Sequence, residues 1–118
     1  MNAWGDGNFD NDAAMEYLAT TVEHLVDTVE HVLSTRGRAA LSTDGEGILM
    51  PSVELIALLC ERYGCAAPRA KTVEQWKKKY LKAFDGRRKP SKKPDPDRDA
   101  RRKVIERTFD WLSGLARS

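Results

Sequence analysis

Two cysteines, two histidines and no long apolar run are the first things to note in this 118-residue chain. Its longest uninterrupted apolar stretch, Leu55-Ile56-Ala57-Leu58-Leu59-Cys60, covers less than two helical turns, far short of a membrane span. Cys60 and Cys65 are too few for a disulfide scaffold, and their spacing is wrong for a C-x-x-C redox or zinc half-site. No glycine-rich phosphate loop and no serine in a nucleophile-elbow context is present. His24 and His31 fall on one helical pattern beside acidic residues, which leaves little from which to build a Cys–His or Ser–His dyad. The first residues lack a basic region followed by an apolar segment, so a cytoplasmic protein without a secretory leader is expected. These absences together predict a non-enzyme, with no catalytic residue, cofactor or metal.

The chain is rich in charge and in helical periodicity. A composition of 41% apolar and 32% charged residues predicts one globular domain over 1–118 with a well-solvated surface. The net charge of +2 conceals two opposed halves. Residues 1–68 carry three Lys or Arg against eleven Asp or Glu, and residues 69–103 carry fifteen against five. Such halves can attract each other within the fold or meet different partners.

Met15, Leu18, Val22, Leu25, Val29 and Val32 alternate steps of three and four, and Ala14, Val26 and Leu33 widen the seam. This predicts a first helix from Asn11 or Asp12 to Ser34, with Asp10, Asn11 and Asp12 supplying caps and negative charge to its N-terminus. The seam could bury against its own chain or against a second copy, making a homodimer one expectation. Residues 36–47, with Gly37, Gly45 and Gly47, read as a connection. Pro51 then suits the first turn of a second, central helix with Val53, Leu55, Ile56, Leu59, Cys60 and Tyr63 as core candidates and Gly64 as its stop. Cys60 and Cys65 flank that stop at positions whose side chains commonly touch, which predicts packed thiols closing the turn. Thr72 with Gln75 forms a capping box for a third helix, with Val73, Trp76, Tyr80 and Phe84 on its apolar side. Residues 86–97 read as a flexible, basic, Pro-rich linker. Asp95 or Asp97 then caps a fourth helix with Val104, Ile105, Thr108, Trp111, Leu112 and Leu115 inward. Burying Trp76 and Trp111 would contribute about 2–3 kcal/mol each before entropy. The expected fold is all-α: a single compact bundle of about four helices behind an ordered N-terminal loop, residues 1–12.

Three constellations invite a functional reading. Asp6, Asn8, Asp10 and Asp12 stand at positions 1, 3, 5 and 7 of an EF-hand-like loop, but Asn11 occupies its glycine position and Tyr17 its bidentate carboxylate position. Helix capping, with Phe9 folded back near Ala14, is the favoured reading there. His24, Asp27 and His31 share one helical arc, yet the histidines lie roughly 10 Å apart along the axis, so an exposed face with Asp27 pairing to His31 is favoured over zinc. Lys77, Lys78, Lys82, Arg87, Arg88, Lys89, Lys92 and Lys93 form a candidate interaction surface. With Trp76 and Tyr80 nearby it could bind nucleic acid through phosphates and stacking, or serve simply as a solvated charge run.

The phrase Trp4-Gly5-x-Gly7-x-Phe9-Asp10-Asn11-Asp12 resembles the opening of a family of small bacterial proteins that carries no assigned activity. Asn8 stands where that family usually has proline. The resemblance extends through Leu49-Met50-Pro51, Val73-Glu74-Gln75-Trp76 and Thr108-Phe109-Asp110-Trp111-Leu112. It implies a bacterial, cytoplasmic, all-helical protein, and it implies no cofactor or catalytic residue. Compactness, charge asymmetry and the lack of a catalytic constellation favour a protein-binding module of immunity or antitoxin-like type. The rival expectations are a nucleic-acid-binding accessory protein and a metal-dependent protein.

Overall fold

The computed structural model describes residues 5–34, 44–86 and 95–116. Among the described residues four α-helices carry the fold: α1 (Asp12–Ser34), α2 (Met50–Tyr63), α3 (Ala70–Gly86) and α4 (Pro96–Leu115), with a π-helical turn (Gly45–Leu49) leading directly into α2. Among the described residues there is no strand, and the all-α bundle expected from periodicity is the fold. α2 packs between α1 and α4, α4 packs between α2 and α3, and α1 touches α3 more lightly. Two ion pairs give the run of α3 against α4. Lys77 Nζ meets Asp110 Oδ1 at 2.7 Å at one end and Arg102 Nε meets Asp85 Oδ1 at 2.9 Å at the other, so the helices are antiparallel.

α1 starts where its chemistry predicts. Asn11 Oδ1 accepts the Ala14 N–H at 2.8 Å, satisfying one of the unpaired amides of the first turn. Asp10 is not a cap. Its Oδ2 accepts the Gly7 N–H at 2.8 Å while its own N–H donates to the Gly7 carbonyl at 3.1 Å, which closes a small loop before the helix. A Cβ on either Gly5 or Gly7 would run into the Asp10 carboxylate, so the glycines provide room; neither has a positive φ. Phe9 lies against Tyr63, ring centroids 4.4 Å apart, which ties the loop to the end of α2. Trp4 lies outside the described residues.

Much of the α1 seam packs within the chain: Leu18, Val22, Val29, Val32 and Leu33 are buried in the common core, and Met15, Leu25 and Val26 lie partly buried against it. α2 contributes Met50, Val53, Ile56, Ala57 and Cys60, and the π-helical turn contributes Leu49. Leu55 was expected inside but is 46% exposed, as is Leu58, because a helix packed on two neighbours still turns one arc outward. Tyr63 is likewise exposed at the helix end, where it covers Phe9. Gly64 stops α2 with φ 71°, and its N–H donates to the Cys60 carbonyl at 2.9 Å.

α3 begins at Ala70, before the expected capping box, so Thr72 and Gln75 lie inside the helix and cap nothing at its start. Val73, Trp76, Tyr80 and Phe84 are buried as the spacing requires. In α4 Asp95 Oδ1 accepts the Arg98 N–H at 3.1 Å, one of the two caps expected. Val104 is exposed and Trp111 only half-buried, whereas Phe109, missing from the expected stripe, is fully buried beside Tyr80 with centroids 6.3 Å apart. Tyr80 and Phe109, more than Trp111, form the aromatic centre. Gly86 closes α3 and Pro96 opens α4, so the expected linker overlaps both helix ends; residues 87–94 lie outside the described residues.

The connection expected to reach Gly47 is already helical from Gly45, with a reason in the packing. Gly45 lies on the ring of Tyr80 so closely that a Cβ would collide with it. The widened turn places Glu46 so that Oε1 accepts the Tyr80 hydroxyl at 2.9 Å while Oε2 accepts Arg101 Nε at 2.8 Å. A single glutamate thus joins the π-helical turn to α3 and α4, and it satisfies the hydroxyl of a ring with no exposed surface. About one turn away, where α3 ends and α4 begins, the Arg98 guanidinium covers the Phe84 ring at 4.6 Å and donates to the Phe84 carbonyl. That contact satisfies a last-turn carbonyl of α3 with a cation.

Candidate functional site

The charged halves of the sequence become two surfaces of different character. On α3 and α4, several cations are engaged inward. Lys77 pairs with Asp110, Arg101 with Glu46, and Arg102 with both Asp85 and Glu106. The Asp85 carboxylate, bonded to the Arg102 side chain, raises the guanidinium pKa above its ordinary value, against the smaller opposing effect of burial. Of the candidate basic surface, Lys77 is therefore a half-buried pairing residue, Lys78 and Lys82 are exposed on α3, and Arg87, Arg88, Lys89, Lys92 and Lys93 lie outside the described residues. Trp76 and Tyr80 are turned into the core, so neither ring is available to stack on a base.

α1 carries the other surface. Asp12, Glu16, Glu23, Asp27 and Glu30 are spaced by four, seven, four and three, which gathers all five carboxylates within roughly 60° of helix circumference. All five are exposed, and among the described residues none takes part in an ion pair. The repulsion of such a row is tolerated because water screens it, and the opposite arc of α1 is held by the core. His24 and His31 lie on the flank of this row, also exposed. Among the described residues no three His, Cys, Asp or Glu side chains come together in a way that could hold a metal ion.

Beside the acidic row runs a groove of about 350 Å³ between α1 and residues 65–68. Ala19, Val22 and Val26 form its α1 wall, with Cys65, Ala66, Ala67 and Pro68 opposite, and Glu23 and Asp27 standing at its edge. The apolar wall and carboxylate edge match what a lysine or arginine presents: a methylene stem to lay on alanine and proline, and a charged head to meet the acids. The small side chains following Gly64 are what leave this space open. Sequence reasoning passed over the groove because residues 64–68 read only as a helix stop and a connection. Their signal was the run Ala66-Ala67-Pro68, too small to fill the gap between α1 and the chain entering α3.

The described part of the N-terminal phrase, from Gly5 on, lies apart from this groove. Gly7, Asn8, Phe9 and Asp10 instead border a separate hollow with Arg62 and Tyr63 at the end of α2. Asp6 is exposed, Asp10 is occupied with Gly7, and Asn11 with the helix start, so these residues serve loop closure and capping. Compared with protein-family models, with curated proteins and with solved structures, the chain matches none.

Proposed function

We propose that this chain is a non-catalytic protein-binding module of immunity or antitoxin-like type, which takes a basic protein surface on the outer face of α1. The observation that carries the proposal is the row of five exposed carboxylates, without an ion pair among the described residues, beside an apolar groove. Exposed carboxylates on an outer helix face are available to a partner, and they speed encounter with a cationic one. Arginine or lysine side chains of the partner lie along Ala19, Ala66 and Pro68 and pair with Glu23 and Asp27. Cytoplasmic location and kinship with the small bacterial family suggested by the opening phrase belong to the same proposal. No helix is long and apolar enough to cross a membrane among the described residues.

Growth rescue tests this directly. The chain is co-expressed with the product of the adjacent gene, and rescue by the native chain but not by the Glu23→Lys, Asp27→Lys double variant supports the proposal. Absence of toxicity in the neighbouring product, or equal rescue by both chains, overturns it. A gel shift with duplex DNA and single-stranded RNA at low salt is expected to show no retardation. Retardation that fades as salt rises would transfer the function to the exposed lysines of α3.

A further inference from the structure

Cys60 and Cys65 lie with their Sγ atoms 3.3 Å apart, Cys65 in the wall of the groove, and both are free thiols. Their proximity has a backbone cause. Gly64 turns into the left-handed region with φ 71° while its N–H still donates to the Cys60 carbonyl, which folds residue 65 back over the last turn of α2. A disulfide requires about 2.05 Å between sulfurs, so bonding needs an approach of roughly 1.2 Å, within the range of small side-chain rotations.

The two thiols differ in access. Cys60 is buried at 5% exposure, whereas Cys65 is half-buried and lines the groove open to solvent. From this geometry we infer that Cys60 and Cys65 are a thiol–disulfide exchange site, with Cys65 the attacking and Cys60 the resolving thiol toward small-molecule disulfides. Burial first, then the adjacent Cys65 sulfur, pushes the Cys60 thiol up to about 12, which keeps Cys60 from attacking first.

The exchange runs in two balanced steps. The Cys65 thiolate attacks one sulfur of the reagent disulfide, forming a mixed disulfide and releasing one thiolate, which takes up a proton. Cys60 then gives its proton to solvent and attacks the Cys65 sulfur, expelling the second thiolate; the protein loses two protons and two electrons, and the reagent becomes two thiols. The product ties the wall of the groove covalently to α2. This inference does not depend on what occupies the groove.

The test is incubation of the full-length chain with oxidised glutathione, followed by alkylation and intact-mass measurement. A mass loss of about 2 Da in a monomeric chain with no alkylatable thiol is expected. In Cys60→Ser a glutathione adduct should accumulate on Cys65, and in Cys65→Ser adduct formation should slow at least tenfold. Two thiols that stay reduced in the folded chain while the denatured chain oxidises would overturn the inference. So would disulfide-linked dimers as the sole product, or an adduct on Cys60 forming in Cys65→Ser as fast as on Cys65 in Cys60→Ser.

Discussion

The seam between α3 and α4 and the outer face of α1 are both densely charged, but they use charge in opposite ways. Along the seam, opposite signs interlock: Lys77 with Asp110, Arg102 with Asp85, and Arg101 with Glu46, which also holds the Tyr80 hydroxyl. On α1, five carboxylates stand in a row without a counter-ion among the described residues. Charge that closes a helix pair is part of the fold, whereas charge left on an outer face is available to something outside it. The overall +2 of the chain reports neither fact.

The contrast can be broken most forcefully at Gly45. Gly45→Ala drives a methyl into the fully buried Tyr80 ring and displaces the Glu46 clamp, and it should cost about 3 kcal/mol, read as a fall in Tm of about 10 °C. Glu46→Ala leaves the packing but removes the acceptor shared by Tyr80 and Arg101. The pair is partly solvated, so about 1.5 kcal/mol is expected by denaturant titration. Lys77→Ala opens a single, more exposed pair and should cost about 0.5 kcal/mol by the same measurement.

Alkaline titration sharpens the comparison by bringing in a buried group that is uncharged near neutrality. The Cys60 thiol ionises near 9 when unfolded and near 12 when folded, so the folded state holds the proton more tightly. Its contribution is complete below pH 9 and is lost as pH rises from about 9 to about 12. The difference in stability between the native chain and Cys60→Ala should shrink over that window. A constant difference would contradict the shift.

Much of the fold was legible in the sequence because it rests on helical periodicity. The α1 seam, the Val73-Trp76-Tyr80-Phe84 stripe and the Gly64 stop follow from spacing and from glycine's tolerance of positive φ. The parts that were not legible depend on contacts distant in sequence. In the π-helical turn Gly45 lies against the ring of Tyr80, and no pattern in residues 36–47 announces that contact. Leu55 and Phe109 exchanged their expected places because periodicity gives a helix an apolar arc without saying how many neighbours will cover it. The acidic row of α1 was present in the spacing from the outset, overshadowed by the more conspicuous basic segment. The groove required two segments about forty residues apart in the chain to be brought together, which only the fold supplies.

The most direct test of the account pairs two variants in one thermal-unfolding experiment: Glu46→Ala, and the combined Glu16→Gln, Glu23→Gln, Asp27→Asn, Glu30→Gln. If the carboxylates of α1 do no work in the fold, the fourfold variant should keep its Tm within about 2 °C of the native chain while the single Glu46 change lowers it by about 5 °C. A fourfold variant that loses as much stability as Glu46→Ala would mean that the α1 row holds the fold together, and the division between the two charged regions would fail.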